Sequence, residues 1–286
     1  MKKVFVTGSS GQLGREIITQ LHAQNIATVG VDIQESETTS HPLDLTKASP
    51  QDLASLISGC DGVIHTAALH GIHEPDFSRE AFIDLNIIAT QNLLQAAHMA
   101  GIKPFVFTSS TSVYGDSARG KDKAAWVDEN LPLRADGIYG LSKIIAESFC
   151  KQAADVNGLD ITCLRISRIL AMTERDIYVD RLYRGHSAAD SAKAHILALQ
   201  KSAASPQAGF AVYNLSGQRV FDKDDLTQLV TNPAKVIKQH IPSYLDRFQS
   251  KGWEIPRKID RVYVSDAFEK AYGFACESAK ILHSNS

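Results

Sequence analysis

The chain alternates short apolar runs with longer stretches whose apolar residues recur at helical spacing. Val4-Phe5-Val6 is the first such run and reads as a strand; it passes into Thr7-Gly8-Ser9-Ser10-Gly11-Gln12-Leu13-Gly14. Residues 15–24 place Ile17, Ile18 and Leu21 on one helical face, with Asn25 as the stop. A second apolar run, 27–31, ends on Asp32, and polar residues 34–40 read as a loop. Residues 41–46 read as a short strand and turn. Residues 50–58 read as a helix with Ser49 as N-cap and Leu53, Leu56 and Ile57 inward. A buried strand over 62–68 ends in the small residues Ala67 and Ala68. A long amphipathic helix over 76–99 stops at Gly101, and a strand follows over 103–110. After a polar loop come a helix over 139–157, stopped by Gly158, and a strand over 160–166. Strand and helix alternating in this way predict an α/β fold, a doubly wound parallel sheet with helices on both faces. Past Ser167 the alternation weakens to a helix over 188–200, a strand over 209–215 and helical pieces such as 222–230.

Composition narrows the classes. At 286 residues there is room for one large α/β domain, or one domain and a small lobe. A hydrophobic fraction of 44% and a charged fraction of 22% are ordinary for a globular protein, and a net charge of −2 argues against a nucleic-acid binder working by bulk electrostatics. No apolar run approaches the roughly 18 residues of a membrane span. Met1-Lys2-Lys3 leads directly into a strand, unlike a signal peptide. The four cysteines, at 60, 150, 163 and 276, lack metal-type spacing; Cys150 and Cys163 read as small buried hydrophobes. No metal and a reducing cytoplasm are expected.

The chemistry-bearing stretch is the glycine-rich one. Strand, tight turn and helix start would aim backbone N–H groups at one point of positive potential, which suits a pyrophosphate. Asp32 lies 18 residues after Gly14, about where a carboxylate would accept hydrogen bonds from an adenosine ribose. Farther on, Tyr139 and Lys143 are four apart at a helix start and share a face. An ammonium beside a phenol lowers the phenol's pKa from about 10, so that it can trade a proton with a substrate hydroxyl. That spacing alone is common by chance. It gains meaning from Ser109-Ser110-Thr111 at the end of a parallel strand, where a hydroxyl could hold the substrate oxygen. Turn, hydroxyl, tyrosine and lysine together describe hydride transfer to or from a nicotinamide.

Several pieces carry a family likeness: Thr7 to Gly14, Asp44-Leu45, His65-Thr66-Ala67-Ala68, Asn86 with Asn92-Leu93-Leu94, Phe107 to Gly115, Tyr139 to Lys143 and Leu164-Arg165. Over residues 1 to about 170 the chain resembles the extended short-chain dehydrogenase/reductases of the NAD-dependent epimerase/dehydratase family, closest to its sugar epimerase-like members. The resemblance implies a Rossmann NAD-binding domain over 1–170, with 188–215 returning to it, and a small C-terminal substrate lobe over 171–187 and 216–286. It implies that Gly8, Ser10, Gly11, Gln12, Leu13 and Gly14 form the dinucleotide turn. Asp32 would hold the ribose and favour NAD over NADP, and Asp44 and Leu45 would flank the adenine. Thr66, Ala67, Ala68, Asn86, Thr108 and Ile166 would complete the cofactor's surroundings. Tyr139 would be the acid/base, Lys143 its tuner and a ribose ligand, and Ser110 the catalytic hydroxyl.

Departures from the family pattern bear on the substrate. Thr111 and Ser112 stand where the 4,6-dehydratases carry an acid pair, which argues against that dehydration. Arg184 lies out of register with the arginine of nucleotide-sugar epimerases. Ser112, Ser167, Arg168 and Arg184 are the substrate candidates, and His70 and His73 read as loop histidines rather than catalysts. The expected function is NAD-dependent oxidation, reduction or epimerisation of a carbohydrate (a sugar, sugar acid or nucleotide sugar). The alternative is a non-catalytic NAD-binding redox sensor. A homodimer through the helices over 76–99 and 139–157 is implied by the resemblance.

Overall fold

The computed structural model describes residues 1–170, 173–204 and 208–278; the expected lobe's residues 171–172 and 279–286 lie outside them. In chain order the elements are β1 (Lys3–Thr7), α1 (Gln12–Ala23), β2 (Ala27–Asp32), β3 (His41–Pro42), α2 (Pro50–Ile57), β4 (Gly62–His65), α3 (Arg79–Phe82), α4 (Ala89–Met99), β5 (Pro104–Ser110), β6 (Ala125–Val127), α5 (Ile138–Asn157), β7 (Asp160–Ile166), α6 (Glu174–Tyr183), α7 (Ala188–Ala204), β8 (Gly209–Leu215), α8 (Leu226–Thr231), α9 (Pro233–His240), α10 (Pro242–Ser250), β9 (Arg261–Tyr263) and α11 (Asp266–Tyr272). Seven strands form the parallel sheet in the order β3-β2-β1-β4-β5-β7-β8, as the alternation predicts. The chain runs outward from β1 through β2 to β3, then returns to β4 on β1's other side. The carboxyl ends of β1 and β4 therefore face a topological switch point, where open α/β sheets leave a crevice.

Two compact units divide the chain. The first is Met1–Val113, Ala135–Arg165 and Ala192–Val212; the second is Tyr114–Arg134, Ile166–Ser191 and Tyr213–Ser286. The first unit's core comes from strands apolar on both faces, with Phe5, Val63, Phe105 and Ile161 fully buried against Leu53, Ile57 and Leu93 of α2 and α4. Cys150 and Cys163 are free and buried in this core, as expected. The second unit packs Tyr178, Tyr244 and Phe248 together, with the last two rings stacked 4.3 Å apart.

Local signals set most boundaries. Ser49 closes a capping box with Asp52 at the start of α2. Gly101 and Gly158 take the positive φ that ends α4 and α5, at 71° each. Other expectations shift. The helix expected from 76 begins at Arg79, because the Ser78 side chain caps Ala81 while Asp76 and Phe77 turn back onto the His73 carbonyl. Its middle, Ile83–Ile88, is π-helical. The strand expected over 62–68 ends at His65, while the short strand and turn expected over 41–46 form as His41–Pro42 and a turn closed by the Lys47 N–H on the Asp44 carbonyl. The polar loop before α5 contains β6, which pairs in parallel with β9 in a separate sheet.

Candidate active site

The glycine-rich turn is tied in from both sides. Gly8 sits at φ 69°, and a Cβ there would lie 2.6 Å from Thr66 Oγ1 and 2.7 Å from the Ala67 nitrogen. A Cβ on Gly14 would come within 2.0 Å of the Gly8 carbonyl oxygen, so the first turn of α1 packs directly on the loop. Gly11 is the helix N-cap; it offers no side chain to the first N–H groups, and no acid stands in the first turn. The helix start keeps its positive end for a ligand, and the loop admits one without a Cβ in the way. These residues fit a dinucleotide pyrophosphate.

Asp32 ends β2 beside this turn. Its carboxylate accepts from the backbone N–H of Ser10 at 3.0 Å and of Gln34 at 3.0 Å, so it also shapes the loop that it flanks. Asp44 is engaged locally: Thr46 and then Lys47 hold its carboxyl below the usual range. Leu45 is buried in the first core. Thr66 donates to the Thr7 carbonyl at 2.7 Å, clamping β4 to β1, with Ala67 and Ala68 following half-buried.

The first unit brings Ser110, Tyr139 and Lys143 together. Ser110 ends β5, and Tyr139 and Lys143 occupy the first turns of α5; all three are buried. Ser110 hydrogen-bonds the Tyr139 phenol, and its oxygen accepts from the Ser112 backbone at 3.1 Å. The Lys143 ammonium donates to the Thr108 carbonyl at 2.9 Å and stands 4.8 Å from the centre of the Phe107 ring. The electrostatics differ from the sequence expectation. Burial pushes the Tyr139 phenol above its ordinary pKa, with the Ser110 bond pulling it down, and burial brings Lys143 down to about 8. For each group, removal of its charged form from water is the largest cause.

A loop closes over the tyrosine. Glu74 Oε1 accepts the Tyr139 backbone N–H at 3.1 Å, which satisfies a donor at the start of α5. Asn86 is held by Leu69, donating to its carbonyl and accepting from its nitrogen at 2.9 Å each, and also donates to Ser142 at 3.0 Å. Its amide ties the loop that joins β4 to α3 to the first turns of α5. His70 Nδ1 lies 3.5 Å from the Tyr139 oxygen.

Ile166, Ser167, Arg168 and Arg184 lie in the second unit. Ile166 ends β7, half-buried. Ser167 is buried with His186 and Ser216 at 3.1 and 3.0 Å. Arg184 and Arg168 converge on one buried carboxylate, Asp180, at 2.8 and 3.4 Å. Asp180 was not singled out by the sequence, nor was Glu147, buried one turn beyond Lys143. Glu147 accepts from Ser109 at 2.5 Å and from Arg165 at 2.9 and 2.7 Å. The four-residue step from Lys143 to Glu147 was the available signal. His195, bonded to Thr108 Oγ1 at 2.9 Å, left no local signal.

The pattern of the family described as NAD dependent epimerase/dehydratase matches residues 4–183. The chain is 29% identical over 197 residues to a 3 beta-hydroxysteroid dehydrogenase/Delta 5-->4-isomerase of Mycobacterium tuberculosis, covering 64% of this chain and 52% of that protein. It thus spans about half the length of that relative. It is 30% identical over 182 residues to an L-arabinose 1-dehydrogenase (NAD(P)(+)) of Haloferax volcanii, covering 61% and 70%. A solved short-chain dehydrogenase/reductase superfamily protein from Agrobacterium tumefaciens, with bound NAD, superposes with a TM-score of 0.71 at 21% identity, covering 98% and 94%. Among the described residues no helix is long and apolar enough to cross a membrane.

Proposed function

Since the chain belongs to the NAD dependent epimerase/dehydratase family, whose cofactor is NAD, we propose that it moves a hydride to or from a carbohydrate carbon bearing a hydroxyl or keto group. The observation that carries this reading is the convergence of Ser110, Tyr139 and Lys143 at the carboxyl end of β5. NAD, when bound, supplies the nicotinamide that accepts or returns the hydride. Gly8, Gly11 and Gly14 leave room for its pyrophosphate, and Asp32 selects an unphosphorylated ribose. Ser110 holds the substrate oxygen, and Tyr139 exchanges the proton of that oxygen. Lys143, anchored on the Thr108 carbonyl, keeps positive charge beside the phenol as the proton leaves.

The carbohydrate class rests on the family and on the arabinose-oxidising relative; the steroid dehydrogenase relative makes a 3-hydroxysteroid the second class to test. Ser112 and Ser167 are the hydroxyl candidates for substrate contact, and Arg168 and Arg184 the candidates for an anionic group. Exposed Ile83, Ile88 and Leu141 on the helical stretches support a homodimer, and four free cysteines support a reducing cytoplasm.

The test is NADH absorbance with free sugars, sugar acids, nucleotide sugars and a 3-hydroxysteroid, on the wild type and Tyr139→Phe. Loss of turnover by about 10²-fold or more in Tyr139→Phe supports the reading. Unchanged turnover refutes it and revives the redox-sensing module. Stoichiometric NADH marks a dehydrogenase; substrate conversion without net NADH marks an epimerase.

A further inference from the structure

Tyr139 has two polar side chains at its oxygen. One is Ser110, assigned above to the substrate oxygen; the other is His70. The imidazole is placed by a short, braced loop. Asn86 holds Leu69 through both of its backbone polar groups. The His70 N–H donates to His73 Nδ1 at 3.0 Å, and the His73 N–H returns to the His70 carbonyl at 2.8 Å. Gly71 rests on the tyrosine ring, where a Cβ would be 3.4 Å from Cδ1. The His70 and Tyr139 rings meet edge to face, 5.8 Å apart at 65°. The 3.5 Å from Nδ1 to the phenol is the outer limit of a direct bond, a gap that a small imidazole shift closes. His70 is also exposed, so the same side chain reaches solvent.

We propose that His70 relays the catalytic proton between Tyr139 and solvent. This rests on the acid/base role given to Tyr139. In the oxidative direction the substrate hydroxyl proton passes to the Tyr139 oxygen as that oxygen's own proton passes to His70 Nδ1. A proton then leaves His70 Nε2 for water. One proton enters and one leaves each group, and the electron pair of the substrate C–H bond goes to NAD⁺, the co-reactant. The relay suits this site because burial opposes a free phenolate at Tyr139. It needs a neutral imidazole, and the charged groups around His70 favour one. Burial, then Lys143, then His73 push it below its usual range, while its exposed edge limits the first of these.

Histidine NMR on the full chain tests the contact without turnover. The His70 signal, identified by its absence in His70→Gln, should show Nδ1 unprotonated at neutral pH. Its titration should move by about half a unit or more in Tyr139→Phe. An identical titration in that variant overturns the proposal. Kinetics on the sugar that turns over separates a relay from a brace. His70→Ala should lose about tenfold or more in kcat with KM and NAD affinity kept, change the pH profile, and recover with added imidazole. Wild-type kcat and pH profile in His70→Ala overturn it, as does a loss of activity that imidazole leaves untouched. If Tyr139→Phe keeps full activity, the acid/base reading itself has failed, whatever His70 does.

Discussion

Glu147→Leu removes the carboxylate that ties α5 to β5 and β7. Glu147 is 6% exposed, Arg165 is 6% exposed and Ser109 is fully buried, so water cannot replace what is lost. The leucine deletes both charge-assisted contacts to Arg165, at 2.9 and 2.7 Å, and leaves the guanidinium buried without its counter-ion. Breaking one partner of a buried pair costs about 3–5 kcal/mol. At about 2–4 °C per kcal/mol for a domain of a couple of hundred residues, the midpoint should fall by roughly 6–20 °C. Replacing both partners, Glu147→Leu with Arg165→Met, exchanges two desolvated charges for apolar packing and should return the protein to within about 2 kcal/mol of wild type. Thermal and urea unfolding of the two single variants and the double variant measure the coupling. A single-variant cost below about 1 kcal/mol, or a double variant whose loss equals the sum of the singles, would refute the reasoning.

Gly14→Ala puts a methyl 2.0 Å from the Gly8 oxygen, so α1 must move off the turn; NADH fluorescence should show affinity weakened by about tenfold or more. Asp32→Ala removes the acceptor for the Ser10 N–H and the carboxylate proposed to exclude a 2′-phosphate; the ratio of NAD to NADP affinity should fall, and an unchanged ratio would remove Asp32 from cofactor selection. Burial brings Lys143 down to about 8 in the folded chain from its ordinary 10.5. Between those values the unfolded chain binds the extra proton, so stability rises with pH there. Urea midpoints of wild type relative to Lys143→Met should therefore climb from about pH 8 to pH 10, and a flat difference would contradict the burial of that ammonium.

Local features were legible in the sequence. Gly8, Gly14, Gly101 and Gly158 were readable because each meets a backbone demand set by its neighbours: a turn, a close approach or a left-handed cap. The parallel sheet followed from β1, β4, β5 and β7 being apolar runs separated by helical spacing. What escaped depends on partners far along the chain. Strand β6 exists because Trp126 registers with Val262, and nothing near Trp126 announces that. That Leu69 uses both ends of the Asn86 amide, 17 residues away, has no trace near Asn86. The pairing of Tyr139 with Lys143 was visible, but the direction of their titration was not. Burial of the phenol is set by the whole packed unit and reverses the expectation drawn from spacing alone.

The π-helical stretch Ile83–Ile88 sets the phase of everything on either side of it. A wider turn holds an extra residue, so the helical faces before and after it are offset by about 100° from a continuous α-helix. Phe82 upstream and Thr90 downstream are both buried, with Thr90 bonded to the buried His65. Both inward settings depend on that offset. Removal of one residue between 83 and 88 would let the segment relax to a regular helix. Phe82 or Thr90 would then rotate outward, and the Asn86 amide would come off Leu69. This stretch should tolerate substitution at its exposed Ile83 and Ile88 far better than any change in length.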